Sequence, residues 1–381
     1  MQNEHHPVCD ILTGSWRAEP DPLSVSQAAL SVSVSVLAST GAGGLAWHRI
    51  ARNAPLRASS HANQLRSCAQ MQVLDAARHD LALGDLTRLF HRHGVEPLLF
   101  KGWAMAHHYS ERHLRPMGDV DLCAPPGRFD ELADLFRRHG FHQLSATASV
   151  HNGRTLCLTS PSGSSGKHLM IDLHEGLDKF FLPPLEDVFA RAVQLQVGDH
   201  SILAPAAEDH LRISAIHFLL DGGWRPLSLC DVAAMLETLP PAFDWDLCLG
   251  AEPRRRRWVA CTLQLAHELL GARLDDVPEC YRVRGMPRWL SATVLREWKK
   301  PFSEHHARPR ISFVWRHRRY EFVGEILARW PNAIRSTVEL DADFTMLPRW
   351  PYQLAHFART IGRFVVRDFR SGLPRQSQLD A

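Results

Sequence analysis

The sequence predicts an α+β fold in which a small mixed or antiparallel sheet is flanked by helices. Two observations lead to this prediction. Short apolar runs bounded by turn residues, typical of buried strands, are concentrated in the first half of the chain. Longer stretches with apolar residues at helical spacing precede and follow them. We expect a lead-in and helix at residues 1–59, the α+β core at 60–204, a helical domain at 205–290, and a basic, aromatic helical region with a loose tail at 291–381.

The composition is ordinary for a globular protein. The 381 residues are 45% hydrophobic and 22% charged, and 44 basic against 41 acidic residues give a formal net charge of +3. This near balance gives no global electrostatic reason to expect nucleic-acid binding, so a partner must be inferred from local features. The eight cysteines are scattered without CxxC spacing, which favours reduced thiols in the cytoplasm over disulfides or structural zinc.

The N-terminal segment predicts a helix that does not enter a membrane. No signal peptide is expected. Residues 28–47 carry no charge and are long enough to cross a bilayer, but they are rich in Ser, Gly and Ala and poor in Leu, Ile and Phe. The S-V-S-V-S-V alternation within residues 24–39 has the period of a strand, yet no hairpin partner follows it. We therefore expect a small-residue helix here.

A long helix and a short strand lead to a Lys-Gly step. Residues 95–100 are an apolar run typical of a buried strand, and a helical pattern resumes over residues 102–109. Lys101 and Gly102 thus lie where a strand passes into a helix, a position whose backbone N–H groups can hold phosphate oxygens. The long helix is predicted over residues 60–93, with Gly94 ending it, from apolar positions Leu65, Met71, Leu74, Leu81, Leu86, Leu89 and Phe90.

Asp119 and Asp121 follow, separated by one residue. If residues 119–122 form a strand, both carboxylates project from one face, whereas Val120 and Leu122 project from the other. Two like charges held this close need protons or cations, and an oxygen cluster suits Mg²⁺ or Mn²⁺. Taken alone, the pair predicts a strand end with two solvated acids equally well.

A third carboxylate is predicted on a later strand. Residues 168–174 form an apolar run that we expect to pair antiparallel with the preceding strand across a turn. In this strand Asp172 and His174 share a face. Asp172 therefore stands where a two-metal site needs its third acid. Between the two groups of acids, the sequence predicts a helix at residues 126–139, one or two strands at 141–159, and a turn at 160–166.

The ordered segments L-L-F-K-G, L-R-P-M-G-D-V-D-L and I-D-L-H resemble the uncharacterised nucleotidyltransferase-like family of the DNA polymerase β-type nucleotidyltransferase superfamily. The similarity covers residues 95–175 and, more loosely, the helices that follow. It implies that Asp119, Asp121 and Asp172 are catalytic and hold divalent metals, Mg²⁺ or Mn²⁺, with an NTP as co-substrate. Much of the superfamily has Gly-Ser where this chain has Lys-Gly, whereas the family itself resembles this chain at that step.

The resemblance also implies roles for four residues around the acids. Gly102 would let the backbone approach the phosphates, and Lys101 and Arg115 would neutralise their charge. His174 would orient Asp172, the residue that takes the acceptor's proton, or would contact substrate. Two of these residues have structural alternatives. His174 is equally explained as a hydrogen-bonded histidine at a sheet edge, and Arg115 as an ion pair that steadies the acidic strand.

The helical region contains two further features. His217 and Asp231 flank a loop between two helices, for which a simple helix hairpin is favoured over a lid or substrate pocket. Four arginines at residues 254–257 stand near the start of a helix, where positive charge is mildly unfavourable. A solvated face explains them more simply than a phosphate-rich partner. The helices are predicted at residues 206–220, 227–239, 255–270 and 351–370.

Three functions follow from these residues. The leading one is metal-dependent transfer of a nucleoside monophosphate from an NTP to an unidentified acceptor hydroxyl or phosphate. A small molecule, peptide or protein acceptor is favoured over nucleic acid. The second is a non-catalytic nucleotide-binding or regulatory module on the same fold. The third is a metal-dependent phosphohydrolase that uses the same acids with water as the acceptor.

Overall fold

The described residues form two compact units. The first contains the described residues up to 218 together with 225–286, and the second contains residues 219–224 and the described residues from 287 onwards. The four-part division of the chain expected from the sequence stays a prediction. The computed structural model describes residues 6–149, 153–161, 168–300 and 329–371.

A seven-stranded mixed sheet lies in the first unit and confirms the α+β prediction. The strands are β1 Leu98–Phe100, β2 Val120–Cys123, β3 His142–Ser149, β4 Gly153–Thr159, β5 Met170–His174, β6 Val193–Val197 and β7 His200–Ala204. Their order in the sheet is β3-β4-β5-β2-β1-β7-β6. The β1–β7 and β2–β5 pairs are parallel, whereas the other neighbours are antiparallel, including β4 and β5 as predicted.

Helices precede, interrupt and follow the strands, as the sequence predicts. The S-V-S-V-S-V alternation is helical, and the Ser26 hydroxyl begins that helix by accepting a hydrogen bond from the Ala29 N–H. The helices are α1 Pro7–Leu12, α2 Gln27–Ser39, α3 Gly43–Ile50, α4 Ala54–Arg57, α5 Ala62–His93, α6 Gly102–Met105, α7 Phe129–Arg138, α8 Leu185–Ala190, α9 Ala207–Leu220, α10 Pro226–Leu236, α11 Trp245–Leu249, α12 Pro253–Leu270, α13 Arg288–Glu297, α14 Ala333–Glu339 and α15 Trp350–Ser371.

None of the helices within the described residues is both long and apolar enough to cross a membrane.

Short 3₁₀ turns at Ala106–His108 and Arg112–Leu114 follow α6, so the predicted helix over residues 102–109 is only partly α-helical. The predicted helix over residues 351–370 is confirmed by α15. The basic, aromatic segment within residues 301–328 and the tail after residue 371 lie outside the described residues.

One face of the sheet packs into a hydrophobic core. Val120 and Leu122 of β2 are buried there together with Ile171 and Leu173 of β5. Because successive side chains of a strand point to opposite faces, this burial directs the residues between them to the other face. The predicted separation of apolar and acidic faces is therefore confirmed for Asp121 on β2 and for Asp172 on β5, whereas Asp119 precedes β2.

The long helix α5 has apolar residues on a buried face and on an exposed face. Leu86, Leu89 and Phe90 are buried in the core, but Leu74 is 53% and Leu81 is 74% exposed. At 3.6 residues per turn, Leu74 and Leu81 lie on a common face that is turned well away from the buried one. The predicted helix over residues 60–93 is therefore confirmed, although not all of its apolar positions are buried.

The hairpin formed by β6 and β7 was not predicted. Its first strand, β6, alternates as V-Q-L-Q-V, and Gly198-Asp199 joins it to β7, with Gly198 at φ 56°. Alternation followed by such a turn is a recognised hairpin pattern. The second strand pairs parallel with β1, where Leu98 faces Leu203 in register, and so extends the sheet beside the Lys-Gly step.

Substitution by alanine is expected to have opposite effects at Gly84, within α5, and at Gly94, directly after it. Gly94 follows the helix at φ 60° and ψ 35°, a left-handed conformation that disfavours a Cβ. Gly84 lies within the helix, and a Cβ there meets nothing within 4 Å. We expect Gly94→Ala to lower the free energy of unfolding by about 1 kcal/mol and Gly84→Ala to raise it by about 0.5–1 kcal/mol. Urea unfolding measures both, and effects of the same sign would contradict this account.

Candidate active site

The face of the sheet opposite the core brings the predicted acids together. Asp121 of β2 pairs in register with Asp172 of the parallel strand β5. Neighbouring strands lie about 4.8 Å apart, so two carboxylates at paired positions on one face converge. A carboxylate oxygen of each acid and a ring nitrogen of His174 lie within 4.8 Å of one another, which makes this trio a potential metal-binding group.

Asp119 stands beside this trio rather than inside it. The strand begins at Val120, one residue later than predicted, and Asp119 is exposed in the preceding bend. Desolvation by the surrounding protein, followed by repulsion from Asp121 and Asp172, raises the pKa of Asp119. Asp119 therefore senses both other acids electrostatically, although the metal-binding group found among the described residues does not include it.

Asp121 is buried and accepts two hydrogen bonds through Oδ1. Lys101 Nζ donates at 2.7 Å, and His174 Nε2 lies at 3.2 Å. Burial alone would raise the pKa of this carboxyl, but the Lys101 ammonium and the His174 ring hold it far below the usual range. Asp121 is thus an ionised, buried carboxylate that is already matched by one positive charge.

His174 is held between two polar neighbours. Its Nε2 faces Asp121, its Nδ1 lies 3.2 Å from Thr155 Oγ1, and its ring packs edge-on against Phe100. Burial lowers the pKa of His174, which favours the neutral ring. A neutral ring that donates from Nε2 to Asp121 can accept the Thr155 hydroxyl at Nδ1. His174 thus contacts Asp121, whereas its expected roles of orienting Asp172 or contacting substrate stay predictions.

Lys101 has a strained backbone. Its φ of 55° and ψ of −146° fall near a region that is almost restricted to glycine. The Lys101 N–H donates to His210 Nε2 at 3.2 Å, and the ammonium lies 5.2 Å and 5.9 Å from the ring centres of Phe100 and Phe180. Burial lowers the pKa of His210 to about 3, so its neutral ring is available as an acceptor.

His210 and Phe180 were missed by sequence reasoning. His210 lies in α9 and Phe180 in a 3₁₀ turn after β5, so neither is near Lys101 in the sequence. Both are almost fully buried. Nothing in their spacing marks them, because a buried histidine in an apolar helix and a single phenylalanine are common core residues.

Gly102 lies directly against the segment that carries the acids. A Cβ at this position would be 3.4 Å from the Asp119 carbonyl oxygen and 3.7 Å from Arg115 Nη1. Gly102 is buried and has a φ of 23°, which a larger residue adopts with difficulty. The Lys-Gly step and the acidic strand are therefore packed as one unit, as the proposed site requires.

Arg115 forms a buried ion pair. Its Nε and Nη2 donate to the two carboxylate oxygens of Asp231 at 3.2 Å and 3.1 Å, and Nη1 donates to the Pro116 carbonyl oxygen. The Tyr109 hydroxyl also donates to Asp231 Oδ1, at 2.6 Å. The structure thus shows Arg115 in the ion pair that was its alternative interpretation, whereas phosphate contact by Arg115 stays a prediction.

The structure also gives the surroundings of His217 and of the arginine run at residues 254–257. His217 lies in α9, 6.4 Å from Phe180 between ring centres, and burial together with the charge of Lys101 keeps its pKa well below the usual value. At the start of α12, Glu252 accepts hydrogen bonds from the backbone N–H groups of Arg254 and Arg255. This acidic cap offsets the unfavourable position of the arginine run.

A cavity of about 480 Å³ opens beside the acids. Asp119 and Asp172 both line it, and residues of α5 contribute further to the lining. The lining mixes apolar and polar side chains, and a cavity of this volume holds a small molecule. The other lining residues are Asp75, Arg78, His79, Ala82, Met117, Gly118, Cys157, His168, Leu169 and Met170.

The chain matches the model of a known protein family. The model of the family described as "Uncharacterised nucleotidyltransferase" matches residues 31–271, well over half of the chain. The chain belongs to this family. The prediction from residues 95–175 is confirmed, and the nucleotidyltransferase match begins earlier, within α2, and continues to the end of α12.

One solved structure matches part of this chain. It is the crystal structure of an antigenic nucleotidyltransferase-like protein from Paracoccidioides brasiliensis, which is 12% identical in sequence. The similarity covers 51% of this chain and 92% of that one, with a TM-score of 0.34. No curated protein gives a significant match.

The buried network around Arg115 predicts a large loss of stability when its carboxylate is removed. Asp231→Ala leaves the Arg115 charge and the Tyr109 hydroxyl without their acceptor. We expect it to lower the free energy of unfolding by about 3–5 kcal/mol. Tyr109→Phe keeps the ion pair and should cost only about 1.5–3 kcal/mol. Urea unfolding followed by circular dichroism compares the two variants, and equal losses would contradict the importance of the ion pair.

Proposed function

We propose that this protein is a metal-dependent nucleotidyltransferase. It transfers a nucleoside monophosphate from an NTP to an acceptor hydroxyl or phosphate and releases pyrophosphate. One observation carries the proposal: the parallel register of β2 and β5 sets Asp121 beside Asp172 on one face of the sheet, in a chain of the nucleotidyltransferase family.

The residues at the site fit divalent cations such as Mg²⁺ or Mn²⁺. Asp121 and Asp172 offer carboxylate oxygens, the ligand type that these hard cations prefer, and Asp119 supplies a third carboxylate next to them. The ammonium on Asp121 shows that this position favours a positive charge. When bound, such cations would polarise the acceptor oxygen and offset the charge of the triphosphate.

The chain's own residues divide the remaining tasks. Asp172, which faces the cavity, accepts the proton of the acceptor as its oxygen attacks the α-phosphorus. The bond between the α-phosphorus and its bridging oxygen then breaks, and pyrophosphate leaves. Lys101 and the backbone at Gly102 contact the phosphates. His174 keeps Asp121 oriented through its hydrogen bond.

The cavity next to Asp119 and Asp172 suggests an acceptor of limited size. Its 480 Å³ can enclose a small molecule or a single side chain. The near-neutral balance of charge across the chain gives no support for a long basic channel. A small molecule, peptide or protein side chain is therefore favoured over nucleic acid as the acceptor.

A non-catalytic nucleotide-binding module is the second candidate. The observation that favours it is the Lys101–Asp121 ion pair, because an ammonium here already balances a carboxylate that a metal would need. Calorimetry with a hydrolysable NTP separates the two functions. A binding module gives a saturable heat of binding and releases no pyrophosphate. A transferase releases pyrophosphate and attaches the nucleoside monophosphate to the acceptor, whereas a phosphohydrolase uses water as the acceptor.

The two more accessible acids provide the cleanest test of catalysis. We expect Asp119→Asn and Asp172→Asn each to lower Mg²⁺-dependent pyrophosphate release from NTPs by at least about a hundredfold, because each removes a group that acts on the transition state. The assay uses each of the four NTPs with a pool of small hydroxyl and phosphate acceptors. Melting temperatures should stay close to that of the unmodified protein, since neither carboxylate is fully buried.

Asp130→Asn is the matched control. Asp130 is an exposed acid on α7 that pairs with Arg154, so its loss removes one negative charge without touching the site. Its activity should equal that of the unmodified protein. Full activity in both Asp119→Asn and Asp172→Asn would overturn the proposed function. The Asp121 variant is less informative, because removing its carboxylate leaves the Lys101 charge unpaired and lowers stability as well.

A further inference from the structure

Lys101 holds the position on Asp121 that a cation would take. Its ammonium lies 2.7 Å from Asp121 Oδ1, and the two side chains are only 15% and 7% exposed. The hydrogen bond from His174 reaches the same oxygen. Asp121 Oδ1 is therefore engaged by a positive charge and a hydrogen-bond donor.

The backbone of Lys101 has an unfavourable conformation. Glycine would adopt φ 55° and ψ −146° without strain, yet the chain has lysine here. His210 accepts the Lys101 N–H, and the rings of Phe100 and Phe180 lie near the ammonium. Strain that is maintained by several neighbours is typical of ligand-binding positions. The structure around Lys101 thus serves to direct an ammonium to Asp121.

We propose that Lys101 competes with the divalent cation for Asp121. In the metal-free protein its ammonium neutralises the carboxylate. When metal and NTP bind together, Lys101 leaves Asp121 and contacts the triphosphate. This inference rests on the proposed function and adds a coupling between the two ligands, in which metal alone binds weakly and metal with nucleotide binds well.

Two physical arguments support the exchange. A lysine ammonium and a divalent cation on one carboxylate oxygen repel each other strongly, because both are positive and the site is shielded from water. The lysine side chain is also a flexible four-carbon stem with a compact charge, so it can move from one anion to another without moving the backbone. The triphosphate, which binds together with the metal, supplies the new anion for the Lys101 ammonium when the metal takes its place on Asp121.

The test is a titration with Mn²⁺ in the absence of nucleotide, followed by electron paramagnetic resonance of the free ion. Lys101→Met removes the competing charge and keeps a side chain of similar length. We expect it to bind Mn²⁺ about tenfold more tightly than the unmodified protein does. Lys101→Arg retains a charge and should keep the weak binding. If Lys101→Met does not fold, Lys101→Gln replaces it, because its amide can still donate to Asp121.

Lys179→Met is the matched control for a general loss of positive charge. Its ammonium lies 5.0 Å from the centre of the Phe180 ring, and its charge acts on His174, so it belongs to the same neighbourhood. We expect Lys179→Met to tighten Mn²⁺ binding by less than about threefold. An effect as large as that of Lys101→Met would show that charge in general, rather than competition at Asp121, decides metal affinity, and would overturn the proposal.

A second measurement, of nucleotide affinity, should show an effect of Lys101→Met opposite in sign to its effect on Mn²⁺ affinity. With Mn²⁺ present, Lys101→Met should bind a non-hydrolysable NTP analogue about tenfold more weakly in calorimetry, since the phosphates lose an ammonium. A residue with only a structural role would not strengthen one ligand and weaken the other. Unchanged or weaker Mn²⁺ binding by Lys101→Met would overturn the inference.

The two proposals fail in different ways. Adding Asp121→Asn or Asp172→Asn to Lys101→Met should abolish the tight Mn²⁺ binding. If Mn²⁺ binding needs both acids but ignores Lys101, only the competition is wrong. If Mn²⁺ binds regardless of both acids, no metal site lies here, and the proposed function fails together with this inference.

Discussion

The ion pair between Lys101 and Asp121 is the contact on which the rest of the site depends. A carboxylate as buried as that of Asp121 would protonate unless it were paired, and the ammonium at 2.7 Å together with His174 keeps it ionised. Lys101 forms this pair from a strained backbone, whose N–H donates to His210 of a distant helix. Residues of the sheet, of the Lys-Gly step and of helix α9 therefore all contribute to the surroundings of this ion pair.

The sheet topology explains how the acids meet. The β2 strand lies between β1 and β5, so Asp121 is flanked by Phe100 on one side and by Asp172 on the other. Burial of Val120, Leu122 and the matching β5 residues in the core fixes which face the acids occupy. A shift of one residue in this register would turn the acids into the apolar core and the apolar residues onto the opposite face, so core packing itself secures the site.

The helical region steadies the acidic strand from outside the sheet. Asp231 of α10 binds Arg115 and Tyr109, which both lie in the segment between the Lys-Gly step and β2. A buried pair of this kind contributes little net stability, but the loss of either partner is costly, which ties that segment to the helices. The family match extends over these helices as well as the sheet.

The sequence alone determined the α+β class, most of the helices, the strands that carry Asp121 and Asp172, and the nucleotidyltransferase family. These features depend on local periodicity and on motif order, which are visible within short windows. Only the tertiary structure decided that Lys101 pairs with Asp121, that His210 supports it from 109 residues away, and that Arg115 pairs with Asp231 across 116 residues. Such contacts depend on strand order and helix packing, and no spacing along the chain encodes them.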